Sequence, residues 1–288
     1  MSAPPAKRTA ACAGLPDASP PHPPPPPPPP RPAGAHLLDP AYGPPPSTDY
    51  ADLPAMLGHP DLGRVILGWL GDDTAAASAL RGTCAAGRDA VAAHPWADEM
   101  TIVRWPARWR RAFPAAVAAS VRGNVRLVDA DFVHLRGLCS LNMSWCSQAT
   151  IMDGAFAHLA GIHTLNMSLC SQTTITDGAF AHLAGIHTLD MSHCSQATIT
   201  DSAFAHLAGI HTLNMSYCRQ ITDGAFAHLA GIHTLYMLGC NQAIITDGAF
   251  VHLAGIHTLD MSDCRQATIT AACRARLRQA GIPVLRMW

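Results

Sequence analysis

From residue 132 onward the apolar positions fall into one recurring pattern. Phe156, Leu159 and Ile162 sit three apart, Leu165 and Met167 alternate around a polar residue, and Cys170 and Ile175 close the unit. Threefold spacing predicts a helical or 3₁₀-like stripe, and alternation predicts a short strand with one buried face. Phenylalanine recurs at 132, 156, 180, 204, 226 and 250, and cysteine at 146, 170, 194, 218, 240 and 264. Such fixed-period self-similarity predicts a solenoid, in which each unit buries its apolar face only against its neighbours. One unit is shorter by two residues, around Arg219-Gln-Ile221. The loss falls in a turn and leaves strand and phenylalanine stripe in phase. At the ends, Gly123–Leu127 reads as a degenerate first strand and Gly281–Trp288 as a closing unit, making about eight parallel strands.

Leu-x-x-Leu-x-Leu-x-x-Cys followed by Ile-Thr-Asp, as at 175–177, 199–201, 221–223 and 245–247, resembles the cysteine-containing class of leucine-rich repeats. The resemblance implies an α/β solenoid over 125–288, with parallel strands on the concave face and short helices, down to single turns, on the convex one. Asp177 and its equivalents are the natural N-caps of those helices.

Near-identical copies allow an internal comparison. The slot between the strand Leu and Met reads Asn142, Asn166, Asp190, Asn214, Tyr236 and Asp260. Because its neighbours point inward, this residue points out onto the sheet. The slot before cysteine, at the strand exit, reads Trp145, Leu169, His193, Tyr217, Gly239 and Asp263. Diversity in size, charge and aromaticity at outward positions suits a recognition surface, and Trp and Tyr are enriched at binding hot spots. Neutral drift is the competing explanation; the fixed exposed slots (Thr164 and its equivalents, the histidines) weigh against it, although recent duplication also accounts for their fixity. The expected substrate-protein surface is therefore Asn142, Trp145, Asn166, Leu169, Asp190, His193, Asn214, Tyr217, Tyr236, Asp260 and Asp263.

Upstream the composition changes twice. Residues 1–49 hold eighteen of the 24 prolines, including an unbroken run from Pro23 to Pro30, and read as disordered with a polyproline II stretch. Polyproline docks on SH3-, WW- or profilin-like domains, so a polyproline-binding domain is a candidate partner; a plain spacer is the other reading. Residues 50–100 carry Leu53-Pro54, Ile66-Leu67, Leu70, Leu80-Arg81-x-x-Cys84, Arg88 and Trp96 on short amphipathic helices. This segment resembles an F-box, most closely from Leu80 to Trp96; its first half departs, since Pro54 lies too far ahead of Ile66. The resemblance implies that Leu53, Pro54, Ile66, Leu67, Leu70, Leu80, Cys84 and Trp96 bind a Skp-type adaptor of a cullin ubiquitin ligase. Residues 101–124, with Trp105, Trp109, Arg108, Arg110 and Arg111, read as a helical bridge and N-terminal cap. A basic-aromatic cluster can touch nucleic acid, but here it reads as interdomain packing and solvated face.

Charge and chemistry narrow the classes further. The formal net charge of the 288 residues is −1, so no bulk field argues for nucleic acid or an acidic membrane, and neither is expected as a partner. No apolar run reaches the length of a membrane span, and the N-terminus lacks a secretory core. The six periodic cysteines read as reduced, buried, apolar-like side chains, which places the protein inside the cell, in cytoplasm or nucleus. Two histidine columns, His134 to His252 and His163 to His257, invite a zinc reading. A linear ladder presents ligands from one side only, whereas zinc requires tetrahedral closure, so neither metal nor cofactor is expected. No glycine-rich phosphate loop, Gly-x-Ser-x-Gly or His-Glu-x-x-His occurs, and the chain has a single glutamate, Glu99. The expected function is a non-enzymatic adaptor, the substrate-recognition subunit of a Skp–cullin–F-box-type ligase. The alternatives are a repeat scaffold without a ligase link and, third, a secreted or surface repeat protein.

Overall fold

In a computed structural model, the structure describes Met56, Leu57, Leu67 and residues 73–279. Seven three-residue strands form one parallel sheet in chain order: β1 Ala118–Ser120, β2 Ser140–Asn142, β3 Thr164–Asn166, β4 Thr188–Asp190, β5 Thr212–Asn214, β6 Thr234–Tyr236 and β7 Thr258–Asp260. The central leucines are in register, Leu141, Leu165, Leu189, Leu213, Leu235 and Leu259 stacking one above another. Six strand spacings of ~4.8 Å make a face roughly 29 Å across. The described residues thus form an α/β leucine-rich-repeat solenoid.

Each repeat follows from its residues. Thr176 caps α5 (Asp177–Phe180) by accepting from Gly178 N–H at 3.1 Å. A 3₁₀ turn (Ala181–Leu183) follows, and the chain reverses at a glycine with φ near +80°, as at Gly161 with +84°. The same one-turn helix recurs as α4 (Asp153–Phe156), α6 (Asp201–Phe204) and α7 (Asp223–Phe226), while the sixth unit has only a 3₁₀ segment, Ala249–Leu253. The Phe, Leu, Ile, Leu, Met and Cys columns form one continuous core, nearly all of it inaccessible to solvent. A fully buried side chain of this size contributes about 1.5–3 kcal/mol.

Two expectations for local structure change. The first strand is Ala118–Ser120 rather than 123–127, because Gly123 adopts φ +62° and the following residues turn. The helix cap is the threonine before each aspartate, not the aspartate. Asp177 instead reaches forward: its carboxylate accepts from Thr200 N–H at 2.7 Å and Thr200 Oγ1 at 2.6 Å. The same bridge joins Asp153 to Thr176, Asp201 to Thr222, Asp223 to Thr246 and Asp247 to Thr270. Each repeat is therefore hydrogen-bonded to the next on its convex side as well as through the sheet.

Further ladders sew the loop side. Each cysteine thiol points at a carbonyl of the preceding repeat, as Cys194 Sγ to Met167 O at 3.1 Å. Gln196 Nε2 donates to Cys170 O at 3.1 Å, and Gln220, Gln242 and Gln266 act alike. The 22-residue unit keeps its strand register and its buried Phe226, as its sequence predicts. At the C-terminal end, helix α8 (Ala271–Gln279) supplies Arg274, whose Nη2 donates to Cys264 O at 2.8 Å. Inside the stack, from Cys170 to Cys240, a glutamine of the following repeat takes that carbonyl. The closing unit expected at 281–288 lies outside the described residues.

At the N-terminal end two helices, α1 (Thr74–Arg81) and α2 (Ala85–Ala93), pack with α3 (Pro106–Ala112) around a second core of Leu67, Ala77, Val91, Trp96, Phe113 and Ala116. Trp96 is fully buried; its Nε1 donates to Val91 O at 2.8 Å, and its ring meets Phe113 edge-on. Arg110 ties this module to the solenoid, donating to His134 O, Arg136 O and Ala116 O. The sheet edge is covered where Val103 N–H donates to Ser120 O.

Candidate functional site: the concave face and its left-handed rim

The outward slot of each strand is half-buried, as the alternation requires. A cavity of about 150 Å³ opens on this face, lined by the column Asn142, Asn166, Asp190, Asn214 and Tyr236, by Ser140, Thr164, Thr188 and Thr212, and by Glu99. Glu99, which the sequence did not mark as a site residue, accepts a hydrogen bond from Ser140 Oγ. No arginine or lysine lines this cavity, while Glu99 and Asp190 do, so it is acidic.

The Asn/Asp column also has structural work. Asn166 Oδ1 accepts from Ser168 N–H at 3.0 Å, and Asn142, Asp190, Asn214 and Asp260 hold their own i+2 amides in the same way. A short polar side chain is thus required by the turn, which accounts for the Asn-or-Asp alternation without recognition. Tyr236 breaks the rule. It cannot make that bond, and the amide two residues on, Leu238 N–H, is satisfied instead by Ser216 Oγ of the preceding repeat at 3.1 Å. Burial, then the charge of Asp260, raises the Tyr236 phenol above its ordinary value, so it stays a neutral hydrogen-bonding group on this face.

The slot before cysteine lies beyond the strand, in a left-handed turn. Trp145, Leu169, His193, Tyr217 and Asp263 have φ between +57° and +64°, and Gly239 has +66°. Left-handed backbone costs an L-residue about 1–2 kcal/mol relative to glycine. Five of six repeats nevertheless place a side chain there. Trp145 is 54% exposed, and the ring of His193 stacks on Tyr217 at 4.4 Å between centroids. Gly239 is buried beneath Tyr217. Asp263 pairs with Arg265 at 3.0 Å.

The inner histidines form a continuous stack from His163 to His257, with centroids 4.4–4.5 Å apart. Nδ1 of His187, His211, His233 and His257 lies 3.0–3.2 Å from the Oγ1 of the next threonine. This pairing accounts for the fixity of the inner histidine and strand threonine columns, which therefore says nothing about drift elsewhere. Among the described residues no group of three or more His, Cys, Asp or Glu is placed to hold a metal. The six ladder cysteines are free and buried. Burial pushes the Cys194 and Cys240 thiols up to about 12, which keeps them protonated and inert. Among the described residues no helix is long and apolar enough to cross a membrane.

Of the expected adaptor-binding residues, Leu53, Pro54, Ile66 and Leu70 lie outside the described residues. Leu67 is buried, Leu80 packs partly against the same core, and Trp96 is sealed inside it. Cys84 caps α2, its sulfur accepting from Gly87 N–H at 3.3 Å. Trp96 and Leu67 therefore build the module and present no surface to a partner. The Ile-Thr-Asp recurrence marks the threonine and aspartate columns but not their partners one repeat on, and the equally regular glutamine column, Gln148 to Gln266, is a further signal in the sequence.

No family model and no curated protein matches the chain. Among solved structures it is similar to internalin C2 from Listeria monocytogenes, at 16% identity over 72% of this chain and 89% of that one, TM-score 0.46. It is also similar to the leucine-rich repeat-containing protein LegL7 from Legionella pneumophila, at 15% identity over 65% and 69%, TM-score 0.43. A chain in the complex of Rad7 and Elc1 from yeast is similar at 14% identity over 59% of this chain, which spans about half (49%) of that one, TM-score 0.45.

Proposed function

We propose that this chain is a non-catalytic binding protein that works inside the cell, with a partner protein held on the concave face and its left-handed rim. Its N-terminal helical module, by the F-box resemblance of Leu80 to Trp96, hands that partner to a Skp-type adaptor of a cullin ligase. The observation that carries the binding surface is Tyr236. In the one repeat that gives up the Asx turn, the replacement is a large aromatic aimed into the groove, and Ser216 makes good the lost bond. The rim adds Trp145 and Tyr217, held out on strained backbone that glycine would relieve. Such a receptor contributes proximity and no chemistry of its own.

Affinity capture with the full chain tests the surface. A variant carrying Trp145→Ala, Tyr217→Ala and Tyr236→Ala loses its specific partners while retaining thermal stability within a few degrees. Unchanged partners would remove the concave face as the reader. Co-purification with a Skp-type adaptor separates the ligase reading from a plain scaffold, since a scaffold captures partners without the adaptor.

A further inference from the structure

The whole-chain charge of −1 conceals a local imbalance. Residues 101–128 contain six arginines and no carboxylate. Arg110 is consumed in tying the module to the solenoid, and Arg111 is exposed on α3. The other four, Arg104, Arg108, Arg122 and Arg126, are exposed and converge around Trp105. Among the described residues none of these four guanidinium groups makes a hydrogen bond or ion pair; Arg126 lies over the Trp105 ring at 5.4 Å.

Two adjoining cavities meet at this tryptophan. One, of about 360 Å³, is lined by Arg104, Arg122 and Arg126 with Ile102 and Val125; the other, of about 300 Å³, includes Arg104 and Arg108. Trp105, Ile102 and Arg104 belong to both. No acidic side chain lines either one. Trp105 is 52% exposed, Ile102 49% and Val125 76%, an apolar surface with no described cover. The backbone beneath is braced, because Asn124 Nδ2 donates to both Val103 O and Arg104 O at 3.2 Å.

We propose that this edge of the solenoid binds single-stranded nucleic acid, a function separate from the concave face. An exposed indole flanked on both sides by unpaired guanidinium groups matches a strand's alternation of phosphate, base and phosphate. The base stacks on Trp105 and on the Arg126 plane, and Arg104, Arg108 and Arg122 neutralise the phosphates on either side. A phosphorylated or acidic peptide would need the charge but would leave the indole without a flat partner. Duplexes bury their base faces, so they gain only the charge term.

Fluorescence anisotropy of the full chain with a short labelled oligodeoxythymidylate tests this. The oligonucleotide binds, and affinity falls with salt by a log–log slope of ~0.7 per phosphate neutralised. Arg104→Ala and Arg122→Ala each lower that slope by about one phosphate's share. Trp105→Ala weakens binding on the order of 5- to 100-fold with the slope unchanged, and Trp105→Phe restores most of it. Circular dichroism shows that the variants keep the wild-type fold. Absence of oligonucleotide binding would overturn the proposal. So would heparin or an acidic phosphopeptide binding as tightly as the oligonucleotide with no effect of Trp105→Ala, since either result leaves a polyanion patch only.

Discussion

The ring of Tyr217 lies across Gly239 in the next repeat, so closely that a β-carbon on that glycine would sit 2.4 Å from Cε1. At the other five repeats the equivalent position carries a side chain. Here the side chain is given up, and its place is taken by the neighbour's aromatic ring. The repeat that loses a rim residue is also the one that places Tyr236 in the groove, so Tyr217 and Tyr236 sit in adjacent repeats beside a deliberately cleared spot.

Gly239→Ala therefore combines left-handed strain with a steric clash. It is expected to lower stability by about 2–5 kcal/mol, read as a shift in the urea midpoint. In the background of Tyr217→Ala the clash is gone and only the backbone cost of about 1–2 kcal/mol is left. Equal losses in both backgrounds would mean that the ring does not pack there.

The convex aspartates are predicted to couple neighbouring repeats. Asp201→Ala removes two hydrogen bonds to Thr222 and is expected to cost on the order of 1–2 kcal/mol. Asp201→Asn keeps an oxygen for the Thr222 amide and should cost less. Hydrogen exchange at Thr222 would accelerate in the alanine variant, and an unchanged rate would show that the bridge is absent in solution.

Two carboxylates set an acid limit. For Asp98, burial opposes ionisation, but hydrogen bonds from Thr74 and Thr101 outweigh it and hold the carboxyl below its ordinary value of 3.8. For Asp247, the Thr270 hydroxyl and amide hold the carboxyl below the same value. A depressed carboxyl in the folded state means the unfolded chain binds the proton first. The contribution is therefore complete above pH ~3.8 and lost as pH falls through the folded values. Asp98→Asn should flatten the fall in thermal midpoint in that window and leave the neutral-pH slope alone.

Ile244 stands where four other repeats have a threonine (Thr150, Thr174, Thr198, Thr268) whose hydroxyl donates to the preceding repeat, as Thr198 Oγ1 does to Ile175 O at 2.8 Å. The orphaned carbonyl, Ile221 O, is taken by Gln242 Nε2 at 3.1 Å, which serves Cys218 O as well. Ile244→Thr supplies a dedicated donor and removes a 50% exposed apolar side chain. It is expected to raise stability by about 0.5–1 kcal/mol, seen as a higher melting temperature.

Thiol labelling gives an independent check on the core. Native protein treated with iodoacetamide at neutral pH should react at half-exposed Cys84 and spare Cys170, Cys194, Cys218 and Cys240, whose thiols burial holds protonated. Denatured protein should react at all of them. Rapid native labelling of Cys194 would contradict the buried ladder.

The period of Phe156, Leu165, Met167 and Cys170 was enough to specify the solenoid, its strand and helix faces and the harmlessness of the two-residue deletion. Each of these depends only on which side chains must leave water, and that is written in the spacing. The sequence also pointed to the two variable columns. Only the tertiary structure decided what each column is for. Asn166 answers to an amide two residues on, Asp177 to a threonine 23 residues on, and Tyr217 to a glycine in the next turn. Such partners are met across the stack, and a hydrogen bond or a ring contact is settled by distance in space, which a linear period does not carry. The same holds for the four arginines around Trp105, dispersed over 23 positions of a near-neutral chain and gathered on one edge only when β1 takes its place beside them.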